Sequence, residues 1–287
     1  MTIKKCRFCN YCLDKIFVDL GTSPLSNSFV KKEQVSNEKA FPLCVYVCEN
    51  CLLVQLEEIE SPENIFSEYA YFSSYSDSWL KHAENYVKNI ILRFPIDKNS
   101  LVIEIASNDG YLLQYFQERK IPILGIEPAE NVAKKAMEKN IPTMTKFFNS
   151  KIANQLSQDK KLADLIVGNN VLAHVPDLND FIKGLKIILK PKGIITLEFP
   201  HLLQLIKFNQ FDTIYHEHFS YFSLISLEKI FLFYKLQIFD VEEITTHGGS
   251  LRIFVTHLEN KSNDITENIN EILNKEKEFG LDSMAKY

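Results

Sequence analysis

The sequence predicts an α/β chain in which a small cysteine-bound module precedes a Rossmann-like sheet. Three observations predict it. All six cysteines lie before residue 52, and four of them form two C-x-x-C pairs. From residue 101 onward, short apolar runs alternate with helical segments. The first two of those runs each carry a carboxylate at or near their end, Glu104 and Glu127.

The 287 residues leave room for one large or two modest domains. A net charge of −5 argues against a duplex-binding face, which needs cations to displace counterions. No apolar run approaches the ~18 residues of a membrane span, and residues 1–10 show no signal-peptide core. The chain therefore reads as cytosolic, with neither membrane nor nucleic acid as partner. In that compartment disulfides are rare.

The cysteines are read as a metal site. Cys6-x-x-Cys9 and Cys48-x-x-Cys51 each set two thiolates on one side of a tetrahedral ion, and together they close its shell. Four thiolates suit zinc, and a closed shell makes it structural. Cys9-x-x-Cys12 is an alternative knuckle, and Cys44 lies just before Cys48. The set Cys6, Cys9, Cys48 and Cys51 is preferred because a short apolar or turn segment follows each pair. Residues 20–25 read as turn and 41–47 as strand. This module, residues 1–60, needs its metal to hold together.

Residues 61–98 form an aromatic lid and a linking helix. Tyr69, Tyr71, Phe72, Tyr75 and Trp79 lie close together, with Ser73, Ser74, Ser76 and Ser78 among them. A core is the ordinary explanation of such aromatics, but so many hydroxyls fit a lid over a polar ligand equally well. Residues 78–91 then follow a helical period, with Leu80, Ala83, Val87, Ile90 and Ile91 on one side.

Residues 99–258 carry the sheet. Strands are expected at 101–105, 121–126, 163–168, 193–199, 236–241 and 251–256. Helices are expected at 111–119, 131–139, 181–189 and 226–234. Repeated βα units imply a parallel sheet covered on both faces, with ligands at the carboxyl ends of its strands. Glu127, at the end of the second strand, can accept both hydroxyls of a ribose. The loop Ala106-Ser107-Asn108-Asp109-Gly110 after the first strand has a single glycine, and Asp109 repels a pyrophosphate. A dinucleotide needs several glycines there. A phosphate-free, cationic cofactor, S-adenosylmethionine, fits better, held among Glu104, Ala106, Asn108, Gly110, Glu127, Pro128, Asn169 and Asn170.

Later strand ends add polarity. His174 follows Asn169 and Asn170, and it either faces the sulfonium or caps the next segment. The densest polar stretch is Tyr215-His-Glu-His-Phe-Ser-Tyr221. If extended, it turns His216 and His218 to the same face; if turned, its side chains converge. Two histidines are half of a catalytic metal site, so a general base is the better reading. His247-Gly-Gly-Ser-Leu-Arg252 is a hairpin tip in which Arg252 could meet an anionic substrate group.

These motifs, with Tyr69-Ala-Tyr-Phe-Ser-Ser74 and Gly125-Ile-Glu-Pro128, together resemble the zinc-containing sugar C-methyltransferases of deoxysugar biosynthesis. The resemblance runs from residue 6 to about 256. It implies a class I S-adenosylmethionine-dependent methyltransferase fold and a second Rossmann-like domain. It also implies methyl transfer to the carbon beside the ketone of a nucleotide-linked (dTDP or GDP) keto-deoxysugar. By resemblance, Tyr69, His174, Tyr215, Glu217 and His218 surround the methyl and the sugar, with His218 the base. Tyr71, Ser74, Tyr75, His216, His247 and Arg252 are expected on the substrate side. Residues 259–287 read as a helical tail opening a C-terminal domain that the chain does not complete. Two rivals are an RNA-binding methyltransferase with a zinc knuckle, which the missing basic stripe in residues 1–52 opposes, and a truncated pseudo-enzyme that binds only the cofactor.

Overall fold

The computed structural model describes residues 4–61 and 71–287. Two sheets organise them. The N-terminal sheet is antiparallel: β1 (Lys15–Ser23), β2 (Phe41–Val47), β3 (Val54–Leu56) and, from far along the chain, β9 (Ser220–Tyr221). Val54 pairs with Tyr221 and Gln55 with Ser220. The module thus borrows its last strand from the segment that follows the histidine cluster.

The main sheet contains β4 (Val102–Ile105), β5 (Ile123–Ile126), β6 (Thr143–Met144), β7 (Ala163–Asn169), β8 (Leu189–Pro200), β10 (Leu236–Ile244) and β11 (Ser250–His257). Its order is β10-β11-β8-β7-β4-β5-β6. The strands from β6 to β8 are parallel, as the βα repeats predict. β11 is the exception, antiparallel to both β8 and β10. A short turn joins β10 to β11, and so tight a connection can only return the chain antiparallel.

Both faces of the sheet are covered, which is why Val102–Ile105 is uniformly buried. Ile103, Ile105 and Ile166 pack towards the helices Ser150–Gln158, Leu178–Ile188 and Leu224–Phe233. Val102, Leu165 and Val167 face the helix Asp77–Arg93, which buries Ala83, Tyr86, Val87 and Ile90. Ser76 starts that helix by accepting the Trp79 amide at 3.3 Å. The last helix, Glu267–Phe279, packs on β10 and on Leu224–Phe233, and ends at Gly280 with φ +96°. Among the described residues no helix is long and apolar enough to cross a membrane.

The strand order reverses at β4, with β5 on one side and β7 on the other. Crossover helices leave that point to opposite faces, so a crevice opens beyond the carboxyl ends of these strands.

Candidate functional site

The four sulfurs of Cys6, Cys9, Cys48 and Cys51 lie within 4.8 Å of one another. Cys6 and Cys51 are 3.6 Å apart, Cys9 and Cys48 3.5 Å. Tetrahedral thiolates around zinc stand about 3.8 Å apart, given Zn–S near 2.3 Å. The donor set therefore fits this ion, and Gln55 adds an N–H to the Cys6 sulfur at 3.2 Å. Cys12 is exposed and Cys44 half-buried, both outside the cluster.

A cavity of about 500 Å³ fills the crevice at the strand ends. Ile105 and Ala106 bring β4 to it, Glu127 and Pro128 bring β5, and Asn169 and Asn170 bring β7. Ala106 and Asn108 have φ of +55° and +48°, conformations disfavoured for residues with a Cβ and often kept at functional loops. Gly110 has φ +78°, a left-handed conformation in which a residue with a Cβ would be strained.

The Asn108 side chain fastens the preceding segment to this loop. Its Oδ1 accepts the Ser73 amide at 2.9 Å, and its Nδ2 donates to the Tyr71 carbonyl at 3.1 Å. Glu127 is buried and accepts the amides of Asn108 (2.8 Å) and Ala129 (2.9 Å). Burial raises its pKa to about 7 against the pull of those two amides. Each of its oxygens keeps further acceptor capacity. Asn170 Oδ1 is buried and unpartnered in the same wall. These acceptors fit a cofactor that carries hydroxyl and amino donors.

The same cavity is also lined by Tyr215, His218, His174 and His247. The 215–218 segment is a turn, closed by the His218 amide on the Tyr215 carbonyl at 2.9 Å. The turn brings the Tyr215 hydroxyl to His218 Nε2 at 3.0 Å, while His218 Nδ1 lies 2.7 Å from the Thr213 carbonyl. A carbonyl only accepts, so Nδ1 carries the proton and Nε2 the lone pair that accepts from Tyr215. Burial holds the His218 pKa down at about 4. Burial, with Glu217 nearby, holds the Tyr215 hydroxyl above its usual range. At neutral pH the pair is thus a neutral imidazole and a protonated phenol. The His174 ring meets His218 edge-on at 4.7 Å, and burial, then His218, lowers its pKa well below the ordinary value.

Several expected site residues lie elsewhere. Glu217 stands behind the turn, accepting from Asn27 Nδ2 of the N-terminal module at 2.8 Å. Glu104 is fully buried outside the cavity wall, with its pKa raised well above the usual range by burial and by Glu127 and Asp109. Four substrate-side expectations need correction. His216 turns away, its Nε2 3.1 Å from the Pro42 carbonyl, because the turn sends alternate side chains apart. Arg252 lies in register between Glu198 of β8 and Glu242 of β10 and pairs with both, at 2.8 and 3.0 Å. Its charge is satisfied across the sheet rather than offered to a ligand. Ser74 accepts from Lys139 Nζ at 2.9 Å and Tyr75 is 81 % exposed; neither lines the cavity. Tyr69 lies outside the described residues, and Tyr71 lines the cavity.

The sequence reading missed much of the wall. Tyr111 was not expected there: it stacks at 6.0 Å on Trp79 of the anticipated aromatic lid to form one side, and His247 meets Trp79 edge-on at 5.3 Å. Phe147, Phe148 and Asn149 form another. Asn149 caps the helix Ser150–Gln158 by accepting the Ile152 amide at 2.9 Å, a start signal the sequence does carry. Val175, Pro176 and Asp177 line the cavity as well.

Comparison with known proteins agrees in order along the chain. A zinc-binding domain family matches residues 6–66, the family described as "Methyltransferase domain" residues 79–238, and "C-methyltransferase C-terminal domain" residues 245–287. The chain is 32 % identical over 286 residues to the C-methyltransferase NovU of Streptomyces niveus, covering 99 % of this chain and 68 % of NovU. Solved structures similar to it include magnesium protoporphyrin IX methyltransferase (ChlM) of Synechocystis PCC 6803 with bound S-adenosylmethionine: 15 % identity, TM-score 0.47, 62 % of this chain and 79 % of that one. The PH0226 protein of Pyrococcus horikoshii OT3 is another: 15 % identity, TM-score 0.49, 69 % and 99 %.

Proposed function

The chain belongs to the zinc-containing, S-adenosylmethionine-dependent C-methyltransferases that its motifs resemble, and on that premise we propose that it methylates the carbon beside the ketone of a nucleotide-linked keto-deoxysugar. The observation that carries this reading is the Tyr215–His218 pair in the cavity wall. A carbon becomes a nucleophile only after losing a proton, and a neighbouring ketone makes that loss possible. His218 Nε2, held unprotonated by the Thr213 carbonyl on Nδ1, takes the proton. The C–H electron pair moves to the ketone oxygen as an enolate. There the Tyr215 hydroxyl, turned from Nε2, donates a hydrogen bond. The developing negative charge favours the imidazolium, offsetting the depression caused by burial. His174 and His247 line the same cavity. When bound, S-adenosylmethionine supplies a methyl group that a carbon nucleophile can accept. Glu127 holds its ribose, and Asn169 and Asn170 meet its polar groups, fixing the reactants close together.

The reading is tested by incubating the enzyme with the cofactor and a panel of dTDP- and GDP-linked keto-sugars in heavy water. The expected result is a gain of one methyl on carbon, with solvent deuterium entering the acceptor position when the cofactor is withheld. Methylation on oxygen, or transfer to no member of the panel, would overturn it.

Glu127 gives a separate expectation. Glu127→Ala weakens binding of S-adenosylhomocysteine by roughly 1.5–3 kcal/mol, the worth of hydrogen bonds to a charged group. The ionised carboxylate accepts both hydroxyls and the protonated one loses an acceptor. Wild-type affinity therefore falls as pH drops through about 7, and Glu127→Gln removes that dependence. Calorimetry at several pH values checks both; a flat wild-type profile would remove Glu127 from the ribose.

A further inference from the structure

The first cysteine knuckle is fastened to the cofactor cavity by residues that are not metal ligands. Arg7 lies between Cys6 and Cys9. It donates from Nη1 to the Pro176 carbonyl at 2.7 Å and from Nη2 to the Leu56 carbonyl. Its guanidinium stands 5.5 Å from the centre of the Phe219 ring, the residue after His218. From the opposite side, Asn179 in the first turn of Leu178–Ile188 donates to the carbonyls of Arg7 (3.0 Å) and Phe8 (2.9 Å). Gln55 closes the arrangement, accepting the Arg7 amide at 2.9 Å while donating to the Cys6 sulfur. Val175, Pro176 and Asp177, the segment these bonds hold, line the cavity.

We propose that Arg7 and Asn179 are positioning residues that couple the four-cysteine metal site to the cofactor cavity, so that zinc and S-adenosylmethionine each tighten the binding of the other. The physical reason is shared ordering. Zinc fixes the knuckle backbone, whose carbonyls and guanidinium then hold the 175–177 wall in place. A ligand that needs that wall loses less conformational freedom when the knuckle is already set. Linkage makes the effect reciprocal: the factor by which zinc raises cofactor affinity equals the factor by which cofactor raises zinc affinity. The inference rests on the placement of the cofactor in this cavity and is independent of the sugar.

The test measures zinc affinity by chelator competition, with and without saturating S-adenosylhomocysteine, in the wild type, Asn179→Ala and Arg7→Lys. Circular dichroism confirms that each protein is folded. In the wild type the ligand is expected to tighten zinc by about 5-fold or more, the lower end of ordinary site-to-site coupling. In Asn179→Ala, which removes two hydrogen bonds and leaves all four thiolates, the ratio falls towards one while zinc still binds. Arg7→Lys keeps the charge but cannot reach two carbonyls from one planar group, so its ratio falls as well. A wild-type ratio of one, or an unchanged ratio in both variants, overturns the proposal. Failure of every sugar in the methylation assay leaves this measurement unaffected.

Discussion

His218→Ala is expected to lower kcat by about 10²- to 10⁴-fold, the usual contribution of a positioned general base, and to leave affinity for S-adenosylhomocysteine unchanged. The imidazole stands beside Tyr215 in the cavity wall, and Glu127, at the end of β5, keeps its amide partners without it. Loss of methyl transfer should come with loss of deuterium exchange at the acceptor carbon. Retained exchange with lost transfer would assign proton removal to another group, Tyr215 being the nearest. Retention of both would reduce the cluster to positioning the sugar. A pH profile adds a second readout. In the proposed reaction the neutral imidazole is the active form, so kcat/KM for the sugar, which reports free-enzyme groups, falls as pH drops through the pKa of His218. Burial holds that pKa near 4 in the free enzyme, so at saturating cofactor the acidic limb lies well below the ~6.5 of an unperturbed histidine. In the proposed reaction Tyr215→Phe removes the enolate donor but leaves the base, and should slow exchange and transfer together, since both pass through the enolate.

Glu276→Ala is expected to cost about 3–5 kcal/mol of stability, because buried donors left without an acceptor cost about 1–3 kcal/mol each. The carboxylate is fully buried and accepts from His201 Nε2 at 2.7 Å. It also accepts the amides of Leu224 and Ile225, at 2.6 and 2.9 Å, at the start of the helix Leu224–Phe233. Its removal leaves three buried donors without an acceptor, two of them unsatisfied helix N–H groups. At about 2–4 °C per kcal/mol for a domain of this size, a melting temperature lowered by roughly 10 °C is the expected reading. Glu276→Gln keeps acceptor oxygen for some of these donors and should fall between. A shift of under about 2 °C in Glu276→Ala, less than 1 kcal/mol on that scale, would show that His201 and the helix start find other partners.

The order of the parallel core was legible because its signals are local. A strand buried on both faces reads as a short apolar run, and 101–105, 121–126 and 163–168 all became strands within two residues at either end. Helix starts that rely on a capping side chain were legible in principle, and Asn149 and Asp177 carry that signal. The short strands β3, β6 and β9 were not, since two or three residues carry no periodicity. They exist because partners already in place offer them a sheet edge.

The site divides in the same way. Residue type and spacing along the chain pointed to the four clustered cysteines, the acceptor at the end of β5 and the polar loops at the strand ends, because each belongs to a motif whose chemistry needs neighbours in sequence. Periodicity could not separate His218 from His216 and only the family resemblance preferred His218; the tertiary structure supplies the physical reason, a single turn, closed by one backbone hydrogen bond, that decides which ring faces the cavity. It alone turned Arg252 from a ligand group into a cross-strand ion pair, because both of its partners come from other strands. It alone joined Arg7 to Pro176 and Asn27 to Glu217, contacts spanning 169 and 190 residues. Such pairs leave no local trace, because a hydrogen bond constrains distance in space and places no demand on the residues beside it in the chain.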